Sequence, residues 1–445
     1  MPAPLEGGVD TQPLNVRQQP LSGRKKAAFA ATLAVLMLLC IELLAQGGFY
    51  ATYGFRYRPG RLSRLSRAIN AIPSELHNDA VAADNIVHPY VGYVRDVPPD
   101  QQHLHGFWTL ADELPRHRVP GAVNVLVTGG SVALEVGYGV PLTHVFREVL
   151  CERRRGGVAV RVFTAALGGM KQPQQLMILN WLATQGAVFD VVVNLDGFND
   201  VVLPVFENAP AGVHPAFPRG WAAQLRKVGA GREVGELAFL RRAQMELVQA
   251  AQGGALASSA LLGLYYAHAV VGYERRIATL GAKLMAGELA FQAKGPPLST
   301  TDRDVLLAES VDVWARGSRL MGAVAAGLQA EYFHFLQPNQ YVRGSKPLSA
   351  EERRLYYTPR DDETYGPTAV AGYPLLIARG AKLLADGVKF VDATPLFADD
   401  QQTLYRDTCC HFNREGNVKL ARFVVEYLLE HSTALQAAVA AARDG

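Results

Sequence analysis

Three apolar runs at residues 123–127, 158–163 and 189–195 alternate with helical stretches, and that alternation leaves little choice of fold. Each run is rich in Val and Phe, as expected of strands covered on both faces in a parallel sheet. Parallel neighbours need a long crossover, usually a helix. Residues 132–150 and 174–185 have the length and composition to supply one each, with Gly137, Gly139 and Pro141 predicting an irregular turn near the start of the first. The carboxyl end of every strand meets glycine or polar residues: Gly129-Gly130-Ser131, Gly168-Gly169, and Asp196-Gly197-Phe198-Asn199-Asp200. Ligands of such sheets bind at that edge.

The same rhythm returns near the carboxyl terminus. Residues 331–336 read as a strand with Gln337-Pro338-Asn339-Gln340 at its edge, a helix follows at about 368–386, and a strand at 388–392. A polar loop, 407–417, then precedes an amphipathic helix at 418–429. Between the two blocks the rhythm breaks. A Pro-rich loop (Pro204, Pro210, Pro215, Pro218) leads into mostly helical composition, so 204–328 is expected as a helical insertion over the site. Within it, 256–273 is expected as a buried or membrane-facing amphipathic helix, with His268 a satisfied core histidine. Residues 88–93 read as an extended lead-in, and His103 and His105 lie in a polar loop without a partner that would complete a metal site.

Ahead of this α/β pattern, residues 1–26 lack periodicity and end on Arg24, Lys25 and Lys26, which predicts a disordered tail. Residues 27–45 are apolar except for Thr32 and Glu42, and as a helix they would cover about 28 Å, one bilayer. Leu43 stands where signal cleavage wants a small residue, so the segment 27–46 is expected as an uncleaved transmembrane anchor. Glu42 would reach the interface. The basic cluster before the span favours a cytoplasmic amino terminus and a domain outside the cytoplasm, while Arg56, Arg58, Arg61, Arg64 and Arg67 suit lipid headgroups. Residues 47–119 would then be a juxtamembrane and lead-in segment. A net charge of +3 over 445 residues, with no basic run interleaved with aromatics, excludes a nucleic-acid track. Four cysteines lack Cys-x-x-Cys spacing, which argues against a zinc or redox motif.

Acyl transfer by serine needs a hydroxyl, a base, a group that orients the base, and oxyanion donors. Ser131 supplies the hydroxyl at a strand–glycine–helix turn, and His411 is the histidine placed in a polar loop before a terminal helix, with an Asp close by. The Gly168 and Gly169 amides and the Asn199 side chain are candidate donors.

Taken together, Gly129-Gly130-Ser131, Gly168-Gly169, Gly197-Phe198-Asn199-Asp200 and the 407–411 segment resemble, in order, the four blocks of the SGNH (GDSL-type) hydrolases. The resemblance covers roughly 120–203 and 329–431. It implies a flavodoxin-like three-layer α/β/α domain with a parallel sheet, to which the helical insertion and the transmembrane helix are additions. It also implies Ser131 as nucleophile, Gly169 and Asn199 as oxyanion donors, His411 as base, and neither cofactor nor metal. Gly130 stands where the family has Asp. Asp407 lies four residues before His411, where the family has three, and Thr408 occupies the usual place. Either the loop is bulged, or Asp407 is structural and a backbone carbonyl orients His411. The expected function is ester hydrolysis or acyl transfer on a small-molecule or glycan ester substrate, carbohydrate or lipid. The alternative is a catalytically silent member that binds glycan or scaffolds an envelope complex.

Overall fold

The computed structural model describes residues 22–58, 85–111, 113–153, 157–229, 231–252, 258–285 and 291–444. Most of the expected tail, Arg61, Arg64, Arg67 and the start of the 256–273 segment lie outside them. The chain forms two compact units, Met1–Ala68 with Arg241–Glu274, and Ile69–Leu240 with Arg275–Gly445.

In the first unit, helix α1 (Gly23–Tyr53) has 31 residues and is long and apolar enough to cross a membrane. It outlasts the expected span because nothing breaks it until Gly54, whose left-handed backbone (φ 74°) lets its amide close on the Tyr50 carbonyl. Phe49 and Ala45 pack with Tyr57, Ala260 and Ala267. Glu42 does not simply reach an interface: its carboxylate accepts from the Ser259 hydroxyl (2.9 Å) and the Ala260 amide, capping helix Ala260–Met285 at its amino terminus. His268 is exposed on that helix and is not a core residue.

The second unit begins with an antiparallel hairpin, β1 (Asn85–His88) and β2 (Gly92–Arg95), where one extended segment was expected. His88 makes the turn, its Nδ1 accepting from the Tyr90 and Val91 amides at 3.2 Å each. The main sheet holds β3 (Ala122–Gly129), β4 (Ala159–Ala166), β5 (Val191–Asp196), β6 (Glu331–Leu336) and β7 (Lys389–Asp392) in the order β4-β3-β5-β6-β7, every pair parallel. From β3 the chain runs outward to β4, then returns past β3 to β5, so the order reverses at the carboxyl end of β3, where Ser131 follows. Side chains alternate between two buried clusters. Val125, Val127, Val193, Leu195, Phe333 and Phe335 join helix α2 (Leu142–Glu152) on one face, while Leu126, Phe163, Val192 and Tyr332 join α3 (Gln174–Thr184) on the other.

The region 204–328 is not one insertion. Phe198–Leu203 runs on through a wide helical turn, Pro204–Asn208, because the proline falls where a helix start tolerates it. Helix α4 (Arg303–Gly327), capped by the Asp302 carboxylate on two amides, is the β5-to-β6 crossover and buries Trp314 completely. Helix α5 (Gly366–Ala385) links β6 to β7, and α6 (Arg414–His431), which starts four residues earlier than expected because Asn413 caps it, follows β7 ahead of a last helix, Thr433–Asp444.

Under the sheet edge lies a wholly buried polar chain. Asp196 accepts from Trp314 Nε1 (2.7 Å), Asn194 Nδ2 (2.6 Å) and His334 Nε2 (2.8 Å), and His334 Nδ1 meets Ser318 Oγ at 2.8 Å. Replacing Asp196 by Ala strands these donors out of reach of water, and a buried unsatisfied donor costs about 1–3 kcal/mol. We expect Asp196→Ala to lose roughly 3–5 kcal/mol in urea unfolding of the detergent-solubilised protein, where an exposed control such as Asp386→Ala changes little.

Candidate active site

Ser131 opens a short helix, Ser131–Leu134, directly after the β3 glycines. A Cβ on Gly130 would stand 2.3 Å from Asn199 Nδ2, so glycine is what lets the Asn199 amide lie against this turn. An Asp at this position, as in the family that the sequence resembles, would have to push the Asn199 amide aside. Asn199 Nδ2 donates to the Met170 carbonyl at 2.9 Å. That bond ties the serine turn to the Gly168–Met170 turn and leaves the amide a second hydrogen.

Gly169 takes a left-handed backbone (φ +78°), and a Cβ on it would meet Arg219 Cδ at 2.4 Å. Its amide has no acceptor among the described residues. Gly168 instead presents its carbonyl, which accepts from the Tyr93 hydroxyl at 2.8 Å. Asp200 fastens the assembly from behind, accepting from the Gln172 amide at 2.7 Å and the Gly197 amide at 3.2 Å. Burial first, and then Asp196, hold its carboxyl well above the usual range. Arg219 is held by Glu207 through two bonds of 2.9 and 2.8 Å, with the Tyr365 hydroxyl donating to Glu207 at 2.7 Å.

His411 stands opposite. His411 Nε2 is 2.7 Å from Ser131 Oγ, and His411 Nδ1 is 2.5 Å from Asp407 Oδ2. In the tautomer that suits both contacts, the serine hydroxyl donates to Nε2 and Nδ1–H donates to the carboxylate. The question left by the four-residue spacing is answered by Oδ1 of the same carboxylate. It accepts from the amides of Cys409 (2.9 Å), Cys410 (3.1 Å) and His411 (3.3 Å), so the bulged loop wraps its own Asp.

Residues after β6 grip that loop from outside. Gln340 Nε2 donates to the Asp407 carbonyl (3.0 Å), Tyr341 Oη to that of Thr408 (2.7 Å), and Asn339 Nδ2 to that of Cys409 (3.1 Å). Asn339 and Gln340 were legible as strand-edge residues; Tyr341 carries no such signal. Glu135, one turn after Ser131, was not legible either. It pairs with Arg406 and accepts from Asn417 Nδ2 at 2.8 Å, linking the serine helix to the start of α6.

Burial alone would lower the His411 pKa. The Cys410 sulfur, the Asp407 hydrogen bond and charge, and Glu135 outweigh it and lift the ring to about 9. Burial raises the Asp407 carboxyl, and the bond and charge of His411 pull it below its ordinary value.

Cys409, Cys410 and His411 present ligand atoms within 4.8 Å of one another, a set with the softness to hold a thiophilic cation. Both imidazole nitrogens are already engaged, so such a cation would displace Ser131 or Asp407. His103 and His105 are not in that set, and His105 lies edge-on to Trp181 with ring centroids 6.4 Å apart.

No protein-family model matches the sequence, and no curated protein matches it either.

If Asp407 sets the basicity of His411, Asp407→Asn lowers the histidine pKa from about 9 by roughly a unit or more. Histidine-resolved NMR titration reads this directly, and an unchanged pKa would remove Asp407 from the role.

Proposed function

We propose that the chain is a membrane-anchored, serine-dependent ester hydrolase or acyl transferase, of the acetyl kind, acting on a carbohydrate or lipid ester through an acyl-enzyme. One observation carries the reading: the Ser131 hydroxyl lies 2.7 Å from His411 Nε2, with Asp407 2.5 Å behind the other ring nitrogen. The sheet order supports the finer assignment as well. Counted within the sheet it is 2-1-3-4-5, the flavodoxin-like order, with helices on both faces, in keeping with the resemblance to SGNH hydrolases.

In the first half-reaction His411 Nε2 takes the serine proton as Oγ attacks the acyl carbonyl, and Asp407 stabilises the imidazolium. Negative charge on the carbonyl oxygen is met by the Ser131 and Gly169 amides and the free hydrogen of Asn199 Nδ2. The alcohol leaves with the proton held by His411. An acceptor hydroxyl then gives its proton to His411 as it attacks the acyl-serine, and His411 returns that proton to Ser131 Oγ as the acyl group departs on the acceptor. Water as acceptor makes the cycle a hydrolysis, and a sugar hydroxyl makes it a transfer.

Helix α1 supplies the anchor, and the basic residues Arg24, Lys25 and Lys26 at its start favour a cytoplasmic amino terminus with the catalytic unit outside. The alternative of a silent binding or scaffold protein rested on the displaced Asp and the large insertion; Asp407 on His411 and the use of Arg303–Gly327 as the β5-to-β6 crossover support the catalytic reading instead.

Ser131→Ala is expected to abolish turnover of nitrophenyl acetate by the detergent-solubilised chain, and retained activity in this variant would refute the proposal. A base works only when unprotonated, so kcat/KM rises with pH toward a limb near 9, the pKa to which His411 is lifted. In Asp407→Asn that limb moves to lower pH while the plateau drops roughly a hundredfold or more. A limb that stays in place would assign it to another group.

A further inference from the structure

The residues between Asp407 and His411 are not spacers. Cys409 Sγ and Cys410 Sγ are 3.1 Å apart, and the peptide that joins them is part of the His411 support. Its carbonyl, on Cys409, accepts from Asn339 Nδ2, and its amide, on Cys410, donates to Asp407 Oδ1. We propose that Cys409 and Cys410 form a reversible vicinal dithiol–disulfide pair, and that closing the disulfide uncouples Asp407 from the loop that presents His411. The regulatory half of this inference rests on the function proposed above; the modification itself does not.

Geometry sets the character of the bond. Adjacent Cα atoms lie about 3.8 Å apart across a trans peptide, short of the roughly 4.4–6.8 Å that unstrained disulfides span. A ring closed over a single peptide must therefore twist that peptide, and strained disulfides are the readily reduced, switchable ones. The twist turns the Cys410 N–H away from Asp407 and the Cys409 carbonyl away from Asn339.

The sulfurs differ in access and reactivity. Cys409 is half-buried and Cys410 buried. Burial, and then the Cys410 hydrogen bond and charge, push the Cys409 thiol well up, whereas at Cys410 the Cys409 hydrogen bond and the His411 charge outweigh burial and bring the thiol below its ordinary range. The oxidant required is a disulfide of the thiol–disulfide exchange class, which a catalytic unit outside the cytoplasm would meet. Cys409, the less buried sulfur, gives up its proton as it attacks one sulfur of that disulfide and releases the first thiolate. Cys410 thiolate then attacks Cys409 Sγ, expels the second, and closes the protein disulfide. Two protein thiols are oxidised, one external disulfide is reduced to two thiols, and the two protons lost by the cysteines end on them.

The test uses the full-length protein in detergent, with the exposed Cys40 and Cys151 changed to Ser so that they cannot pair. It is treated with oxidised glutathione, blocked with N-ethylmaleimide and mapped by mass spectrometry, and amide exchange is followed across 404–413. The expected result is a peptide that has lost two hydrogens, carries neither maleimide nor glutathione, and reverts with dithiothreitol. The Cys409, Cys410 and His411 amides should exchange at least about tenfold faster in the oxidised form. Maleimide on both cysteines, a glutathione adduct that persists on Cys409, or a disulfide without change in exchange would overturn the inference.

Turnover of nitrophenyl acetate is measured in parallel. We expect a plateau at least about tenfold lower after oxidation. In Cys409→Ser the turnover with and without oxidised glutathione should be the same, whatever its absolute level. Absence of turnover in the reduced protein would count against the proposed function alone, because mapping and exchange still decide the disulfide.

Discussion

One carboxylate holds the site together. Oδ2 of Asp407 fixes the His411 imidazole, and Oδ1 gathers three successive amides of the loop that carries it. The imidazole is thus oriented by a group whose own position is set by the backbone it orients. Charge-assisted bonds of this kind are shorter and stronger than neutral ones. Lifting the imidazole to about 9 follows from the same concentration of negative charge, and its chemical consequence is a strong base that is mostly protonated at neutral pH.

The serine side depends on close approach instead of charge. Glycine at 130 admits the Asn199 amide, Asn199 binds Met170, and Asp200 bridges the Gln172 and Gly197 amides. Three strand ends are thereby locked at the place where the sheet reverses its order. Glu135 and Asn339–Tyr341 then couple this half to the histidine loop. A second run of triad residue types, Asp196, His334 and Ser318, sits in the same unit with bond lengths as good. It is wholly buried, so no substrate reaches Ser318, and its work is to satisfy polar groups under the sheet. Access to the hydroxyl, and not the pattern alone, separates the two.

Much of this was legible in the sequence because it is local. Apolar β-branched runs ending on glycine placed the strands, and the order of polar edge residues named Ser131, Asn199 and His411. What escaped notice is set by distant partners. The loop's bulge depends on amides folding back on Asp407 and on side chains some 70 residues earlier, such as Asn339 on Cys409. Helix α4 looked like part of an insertion because composition cannot reveal that Trp314 lies against the sheet network. Glu42 read as a lone charge near a membrane end, yet it caps a helix more than 200 residues away. His268, expected in a core, sits on an exposed helix face that periodicity alone assigned to neither side.

The proposed activation of the Ser131 hydroxyl can be read at the residue itself with a fluorophosphonate probe. The intact, reduced protein is incubated with the probe above pH 9, where His411 is unprotonated, and the adduct is located by peptide mass spectrometry. A single phosphonylated residue, Ser131, is expected, formed at a rate that falls as pH drops below the His411 pKa of about 9. Absence of an adduct, or an adduct at another serine with Ser131 unmodified, would contradict it.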